Sequence, residues 1–356
     1  MNIIARTAEL TGTHRTIGRQ LTKYCGEQII SFMKSGEELN KADMNEIIRL
    51  LDRWCPGLND ELQGFADASS IPVSKVAYYA GTYLRPSCSR IAISAQKSAN
   101  GHPILARSYE YHHDLEEFTL ARTCADGKNA HIGTCVMMFG REEGINDKGL
   151  AVAMSMNTGR QIKTRGMMYW AALRSVLENC SSVDEAISFL KEMPIAYNMN
   201  MLLADHGKMA LYETMDGQNA FRYASSRELS LTATNHPLLE PITEIYPYAA
   251  VHSLQRYERI NAFLSNHPTV HLSQLKKFLL TPYPEGLSCI YYEDYFGTTK
   301  SVVMDIEEKT LELCWGGQEE NGWNRYELSQ SLTPQQREIH LTMGRGNPDI
   351  YKEQSL

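Results

Sequence analysis

Two alternating segments joined by a small-residue turn commit the centre of this chain to a β-hairpin. Ser87-Cys88-Ser89-Arg90-Ile91-Ala92-Ile93-Ser94 reads as one strand and Ile104-Leu105-Ala106-Arg107-Ser108-Tyr109-Glu110-Tyr111 as the next. Ala99-Asn100-Gly101-His102 supplies the turn between them. The second strand ends in charge, with Arg107 and Glu110 bracketing Tyr109. On this reading the thiol of Cys88 sits near one end of the hairpin and the cation and carboxylate near the other. A thiol beside an arginine is a setting in which a lowered thiolate pKa is expected. A lone cysteine before a strand is more often an inert apolar residue.

The patterns on either side differ. Residues 1–87 read as a short strand followed by helices: Ile17–Phe32 with an interruption at Cys25 or Gly26, Ala42–Leu51, a punctuated segment from Cys55-Pro56-Gly57, and Ile71–Val76. Asp60 and Glu61 fall in a first helical turn, where carboxylates complement the helix dipole. This leading segment carries little chemistry and reads as a helical cap.

After the hairpin the chain is rich in strands. Phe118–Arg122 and Ile132–Met138 precede the turn Gly144-Ile145-Asn146-Asp147-Lys148-Gly149-Leu150, which feeds the apolar run Ala151–Met154 and ends at Asn157. Helices follow at Tyr169–Leu177 and Val183–Leu190, the latter capped by Ser181 or Ser182. Strands return at Met199–Ala204, Met209–Glu213, Ala220–Tyr223 and Leu229–Thr234, the last closing on Asn235-His236-Pro237. His236 reads as a solvated loop histidine. Two more helices cover Leu254–Leu264, with Arg256 and Arg259 on one side, and Leu272–Leu280. Strands then run at Ser288–Tyr292, Ser301–Asp305 and Thr310–Trp315, and the polar tail is expected to end loosely at Glu353–Leu356.

Composition removes several classes of function. The formal net charge is -7 and the basic residues are scattered, which argues against a nucleic-acid partner. The first nine residues lack an export pattern and no stretch approaches a membrane span, so a cytoplasmic protein without a membrane partner is expected. The eight cysteines include no close C-x-x-C pair and H-E-x-x-H does not occur; free thiols and no metal are expected.

Five features recur in a telling order: the Cys88 hairpin, the Gly144–Leu150 turn, the Asn157 strand end, Thr234-Asn235-His236-Pro237, and the Arg256-Tyr257 helix. Together they resemble the linear-amide hydrolases of the N-terminal-nucleophile superfamily, which include choloylglycine hydrolases, penicillin V acylases and the acyl-CoA:6-aminopenicillanic acid acyltransferases. Residues 1–87, with Cys55-Pro56-Gly57-Leu58 and Gly64-Phe65-Ala66, look like the leading segment of the acyltransferase branch.

The resemblance implies an α+β fold, a four-layer αββα sandwich of two antiparallel sheets, preceded by a helical segment. It implies autocleavage between Ser87 and Cys88, giving a leading segment of residues 1–87 that stays associated with a catalytic domain of residues 88–356. Cys88 matches the nucleophile, Arg107 and Glu110 the arginine and aspartate of an R-N-x-D-like motif, Asn157 and Asn235 the two active-site asparagines, and Arg256 a later pocket arginine. Ser87, where glycine is common, and Glu110, one methylene longer than aspartate, depart from the pattern.

The residues support a mechanism on chemical grounds. A thiol that frees its own α-amine becomes both nucleophile and holder of a general base whose reference pKa is about 7.7–8.0. Asn157 and Asn235 are neutral donors suited to the oxyanion or the α-amine, Glu110 to holding an amine, and Arg107 to keeping Cys88 and Glu110 ionised. The expected activity is hydrolysis of a linear amide through an acyl-thioester without a cofactor. Acyl transfer to a small amine, with acyl-coenzyme A as a donor substrate, is the alternative. Two weaker readings are an uncleaved, non-catalytic ligand-binding protein and a papain-like pair using His236 or His252. The substrate's acyl and amine halves are not specified by these residues, and a homo-oligomer stays open.

Overall fold

The alternation read from the sequence resolves, in a computed structural model describing residues 1–81, 87–157 and 165–356, into two large sheets stacked face to face. Pro86, Thr158 and Gly159 lie outside the described residues. Among the described residues the larger sheet has ten strands: nine run in order from Gln218–Tyr223 through Met209–Met215, Met199–Ala204, Ala151–Met156, Glu143–Asn146, His131–Val136, Thr119–Ala125 and Asn2–Gly12 to Gln335–His340, and the short Gly140–Arg141 pairs with His131–Val136 off that path. The smaller has seven, with Ser230–Ala233, Ser87–Ile93, Ile104–Tyr111, Phe296–Asp305, Thr310–Trp315 and Asn324–Glu327 along its path.

Helices cover both outer faces. His14–Leu21, Leu58–Ser69, Tyr169–Asn179 and Val183–Glu192 bury Ile17, Phe65, Trp170 and Ile187 with Val152, Met154 and Met201 from the back of the larger sheet. Val251–Asn266 and Leu272–Leu280 bury Ile260, Leu264 and Leu279 against Ile91, Ile93, Ile104 and Val303 of the smaller. Between the sheets, Ala92, Leu105, Val302 and Met304 meet Ala151, Ala153 and Leu202. The four layers are thus α, β, β, α.

Three expectations are corrected. The sheets are not wholly antiparallel: Asn2–Gly12 pairs parallel with Thr119–Ala125, because the intervening helices and hairpin return the chain in the same direction. The first strand is eleven residues long and lies inside the larger sheet. The tail is not loose at its end, since Gln335–His340 pairs with the first strand and Glu353–Ser355 with Tyr248–Ala250. The interruption near Cys25 is present, with helices at His14–Leu21 and Glu27–Ser35, and Ser182 is the cap of its helix.

The leading segment is knitted to the rest by charge as well as by apolar contact. Gly18 and Gly64 let two helices cross closely; a Cβ on Gly18 would lie 1.9 Å from the Glu61 carbonyl oxygen. That crossing sets His14 Nδ1 3.0 Å from Glu61, whose carboxylate also takes Arg174 Nη1 at 2.7 Å and Nη2 at 2.8 Å. Glu61 therefore faces the interior rather than solvating a helix start.

Candidate active site

Each strand at the centre of the sandwich changes character along its length. On the inner faces Cys88 and Arg90 lead to Ala92, Tyr109 and Arg107 to Leu105, Lys300 to Val302 and Met304, Ser155 to Ala153 and Ala151, and Asn200 to Leu202 and Ala204. A two-residue strand period keeps each set on one face, so one end of the inter-sheet space is apolar and the other is filled with charge and amide groups. Cys88 lies in the polar end and is fully buried.

Pairing fixes its neighbours. Cys88 stands opposite Tyr109, and Ser87 opposite Glu110, so thiol, cation and carboxylate share one end of the hairpin and are not separated along it. Chain reversal at the turn brings the start of the first strand beside the end of the second. Arg107, diagonal to Cys88 on the same face, places Nη2 3.0 Å from Sγ. Arg107 is itself held by Glu143 and lies 3.8 Å from Glu142, with its guanidinium 4.5 Å from the Tyr109 ring centroid. Lys300 bridges Glu116 at 3.0 Å and Glu142 at 3.1 Å, and Tyr109 donates to Glu142 at 2.8 Å.

The backbone of Cys88 is gripped from the other side. Its N–H donates to Asn235 Oδ1 at 2.8 Å, and its carbonyl accepts from Arg256 Nη1 at 2.6 Å. Arg256 also donates to Ser89 Oγ at 2.8 Å and to Asn235 Oδ1 at 2.9 Å. Asn235 Nδ2 donates to Ser155 Oγ at 2.6 Å and the Met156 carbonyl at 2.9 Å. An N–H and a guanidinium on one side and a carbonyl on the other fix the amide orientation, so Asn235 is an acceptor toward Cys88.

Asn157 has a different disposition. Its Oδ1 accepts from Asn200 Nδ2, which also donates to the Thr234 carbonyl at 3.2 Å, while among the described residues its buried Nδ2 has no acceptor. Among the described residues the Asn157 side chain thus presents a donor that is not engaged, whereas Asn235 Nδ2 donates to both Ser155 Oγ and the Met156 carbonyl.

Glu110 points the other way from the thiol. Strand alternation sends it, with Ser108 and Ser89, to the outer face under the Val251–Asn266 helix. There it accepts from Ser108 Oγ and lies 3.5 Å from Arg256 Nη1. Arg259 diverges from Arg256, reaching the Pro284 carbonyl at 2.8 Å near the surface.

Electrostatics overturn the expected thiolate. Burial pushes the Cys88 thiol up, and Arg107 and Arg90 offset only part of that effect. Burial likewise pushes Glu110 up against the influence of Arg256. Burial also opposes ionisation of Glu143, but Arg107 and Lys300 prevail and hold it below its usual range. On Arg107 burial is outweighed by Cys88, Glu143 and Glu142, so its charge is firmly held.

The histidines are not partners of the thiol. His236 is buried, not solvated; it hydrogen-bonds Ser253 Oγ at 2.9 Å, and burial with Arg256 and Arg90 lowers it to about 4. His252 Nδ1 sits 3.0 Å from Arg256 Nη2. Sequence reasoning missed Glu143, Asn200 and Ser155. Their signal was present: each is a polar residue on the inward parity of a strand whose other inward-facing residues are apolar.

A family model for acyl-coenzyme A:6-aminopenicillanic acid acyl-transferase matches residues 96–320, which include Arg107, Glu110, Asn157, Asn235 and Arg256 and begin after Cys88. Among solved structures the chain is similar to penicillin V acylase from Agrobacterium tumefaciens (16% identity, 64% of this chain and 83% of that one, TM-score 0.44). It is also similar to a mutant conjugated bile acid hydrolase from Clostridium perfringens (12%, 73% and 99%, 0.45) and to a Caenorhabditis elegans N-acylethanolamine-hydrolyzing acid amidase ortholog (13%, 62% and 93%, 0.45). No curated protein matches. With more than half of its length matched by that model, the chain is an enzyme that belongs to the acyl-coenzyme A:6-aminopenicillanic acid acyl-transferase family.

Proposed function

We propose that this protein is a cysteine-nucleophile amidohydrolase, matured by autocleavage between Ser87 and Cys88, that cleaves a linear amide through an acyl-thioester on Cys88. The observation that carries the reading is the double engagement of one residue: Arg107 at Sγ and Asn235 at the backbone nitrogen.

In the maturation step Cys88 Sγ attacks the Ser87 carbonyl carbon and the peptide nitrogen leaves as an amine, giving a thioester. Water then opens the thioester to a Ser87 carboxylate and a free thiol. The released α-amine keeps Asn235 Oδ1 as acceptor. In turnover the α-amine takes the thiol proton as Sγ adds to the substrate carbonyl, then returns it to the departing amine. Asn157 Nδ2 is the donor available to the oxyanion, a contact worth about 3 kcal/mol in comparable sites. Arg107 stabilises sulfur as it gains charge, which matters because burial keeps the resting thiol neutral. Glu110 acts through Arg256 and does not touch the thiol.

Acyl transfer is the second reading, favoured by the family match. It differs in the group that accepts the acyl unit, a small amine in place of water, and admits acyl-coenzyme A as well as an amide as donor.

Incubation with a panel of N-acyl amides and acyl-coenzyme A thioesters, with and without hydroxylamine, tests both. The expected result is an acyl adduct on the segment beginning at Cys88 together with free amine. A hydroxamate formed in preference to acid supports transfer. An absence of adduct and product across the panel contradicts both readings.

A further inference from the structure

Glu213 is a buried carboxylate that the proposed chemistry does not use. It lies on Met209–Met215 opposite Asn200, and Asn200 lies opposite Ser155, so the three form one inward-facing row across adjacent strands. The side chain is completely buried, and among the described residues Arg90 is the one charged side chain that acts on it. Its oxygens instead accept two successive backbone N–H groups, Leu238 at 3.1 and 3.0 Å and Leu239 at 2.9 Å.

Those amides belong to the loop that carries Asn235. At its start the Thr234 carbonyl accepts from Arg90 Nη2 at 2.6 Å and from Asn200 Nδ2 at 3.2 Å, and Asn235 N–H donates to Ser253 Oγ at 2.9 Å. Past Pro237, which has no N–H to offer, Glu213 supplies the other anchor. We propose that Glu213 is a positioning residue that fixes the loop Thr234–Leu239 and thereby the place of Asn235 Oδ1 at the Cys88 nitrogen. A buried carboxylate is costly unless its acceptor capacity is used. A glutamine of the same shape would keep one acceptor and turn an NH2 donor toward amide N–H groups.

Burial pushes Glu213 up to about 7, and the two backbone amides and Arg90, the one charged side chain acting on it among the described residues, pull against that shift. Below that value the carboxyl carries a proton and loses acceptor capacity toward the loop, which gives a pH signature that a purely packing role would lack.

Hydrogen exchange on the full chain tests the placement without requiring activity. In a Cys88→Ala background, Glu213→Gln is expected to speed exchange at Leu238, Leu239 and the backbone N–H of position 88 by about tenfold or more, equivalent to about 1.4 kcal/mol, while amides of Ile104–Tyr111 keep their rates. With Cys88 intact, Glu213→Gln is expected to remove the acid limb near pH 7 from the maturation profile, in which no α-amine has yet been freed to titrate, and Glu213→Asp to restore part of it. Unchanged exchange at Leu238 and Leu239 overturns the anchor. Faster exchange there with no change at position 88 overturns the link to Asn235. Because the exchange readout needs no cleavage, it stands or falls separately from the amidase reading on which the pH readout rests.

Discussion

Asn235 Oδ1 accepts the Cys88 N–H at 2.8 Å, joining residues 147 positions apart, and the same oxygen takes Arg256 Nη2 at 2.9 Å. A single amide oxygen therefore sets both the Cys88 nitrogen and the arginine that holds the Cys88 carbonyl. Replacing Asn235 by alanine leaves two buried donors short of an acceptor, at about 1–3 kcal/mol each. Asn235→Ala is expected to slow maturation and turnover by tenfold to about a hundredfold while the chain stays folded, as measured by a gel time course beside a circular-dichroism melt.

Arg107 opposes the burial that raises the Cys88 pKa. Replacing it by methionine removes that opposition. In an Asn235→Ala background, where maturation is slowed, thiolate absorbance of the uncleaved chain, taken as the difference from a Cys88→Ser variant, is expected to appear only above the ordinary thiol range, and at still higher pH when Arg107→Met is added. A lower titration in the variant would show that Arg107 does not act on the thiol.

Arg174 is buried between Glu61 of the leading segment and Glu178 of its own helix, at 2.7 and 2.9 Å. Removing one partner of a buried ionic cluster typically costs about 3–5 kcal/mol. Arg174→Met is expected to lower the midpoint of denaturant unfolding accordingly and to weaken retention of the cleaved leading segment on a sizing column.

His236 is held well below its ordinary value, at about 4, by burial and by Arg256 and Arg90. The unfolded chain protonates this group near 6.5 while the folded chain does not, so its contribution to stability is present above about 6.5 and is lost as pH falls toward about 4. His236→Asn is expected to flatten that part of a stability-against-pH curve measured by urea unfolding.

Much of this fold was legible because its strands carry their own periodicity. Thr310–Trp315 and Leu272–Leu280 have the bounds that their patterns suggest, and the Asn146–Gly149 turn needs the positive φ of 81° that glycine supplies at Gly149. The parallel pairing of Asn2–Gly12 was hidden, since it depends on a partner more than a hundred residues away. The site was half legible. Cys88, Arg107, Asn235 and Arg256 converge as their order suggests, whereas the side to which Glu110 turns depends on the register of Ser87 against it. The raised thiol pKa was hidden for the same reason: an adjacent arginine is visible in sequence, but complete burial is not.

The central claim is that Cys88 becomes the N-terminus of a catalytic segment, and intact mass spectrometry of freshly purified wild type beside Cys88→Ala addresses it most directly. The account predicts two masses for wild type, corresponding to residues 1–87 and 88–356, with Cys88 first in the sequenced large fragment, and a single full-length mass for the variant. A wild type that stays at full length across pH, or a variant cleaved at the same bond, would contradict it.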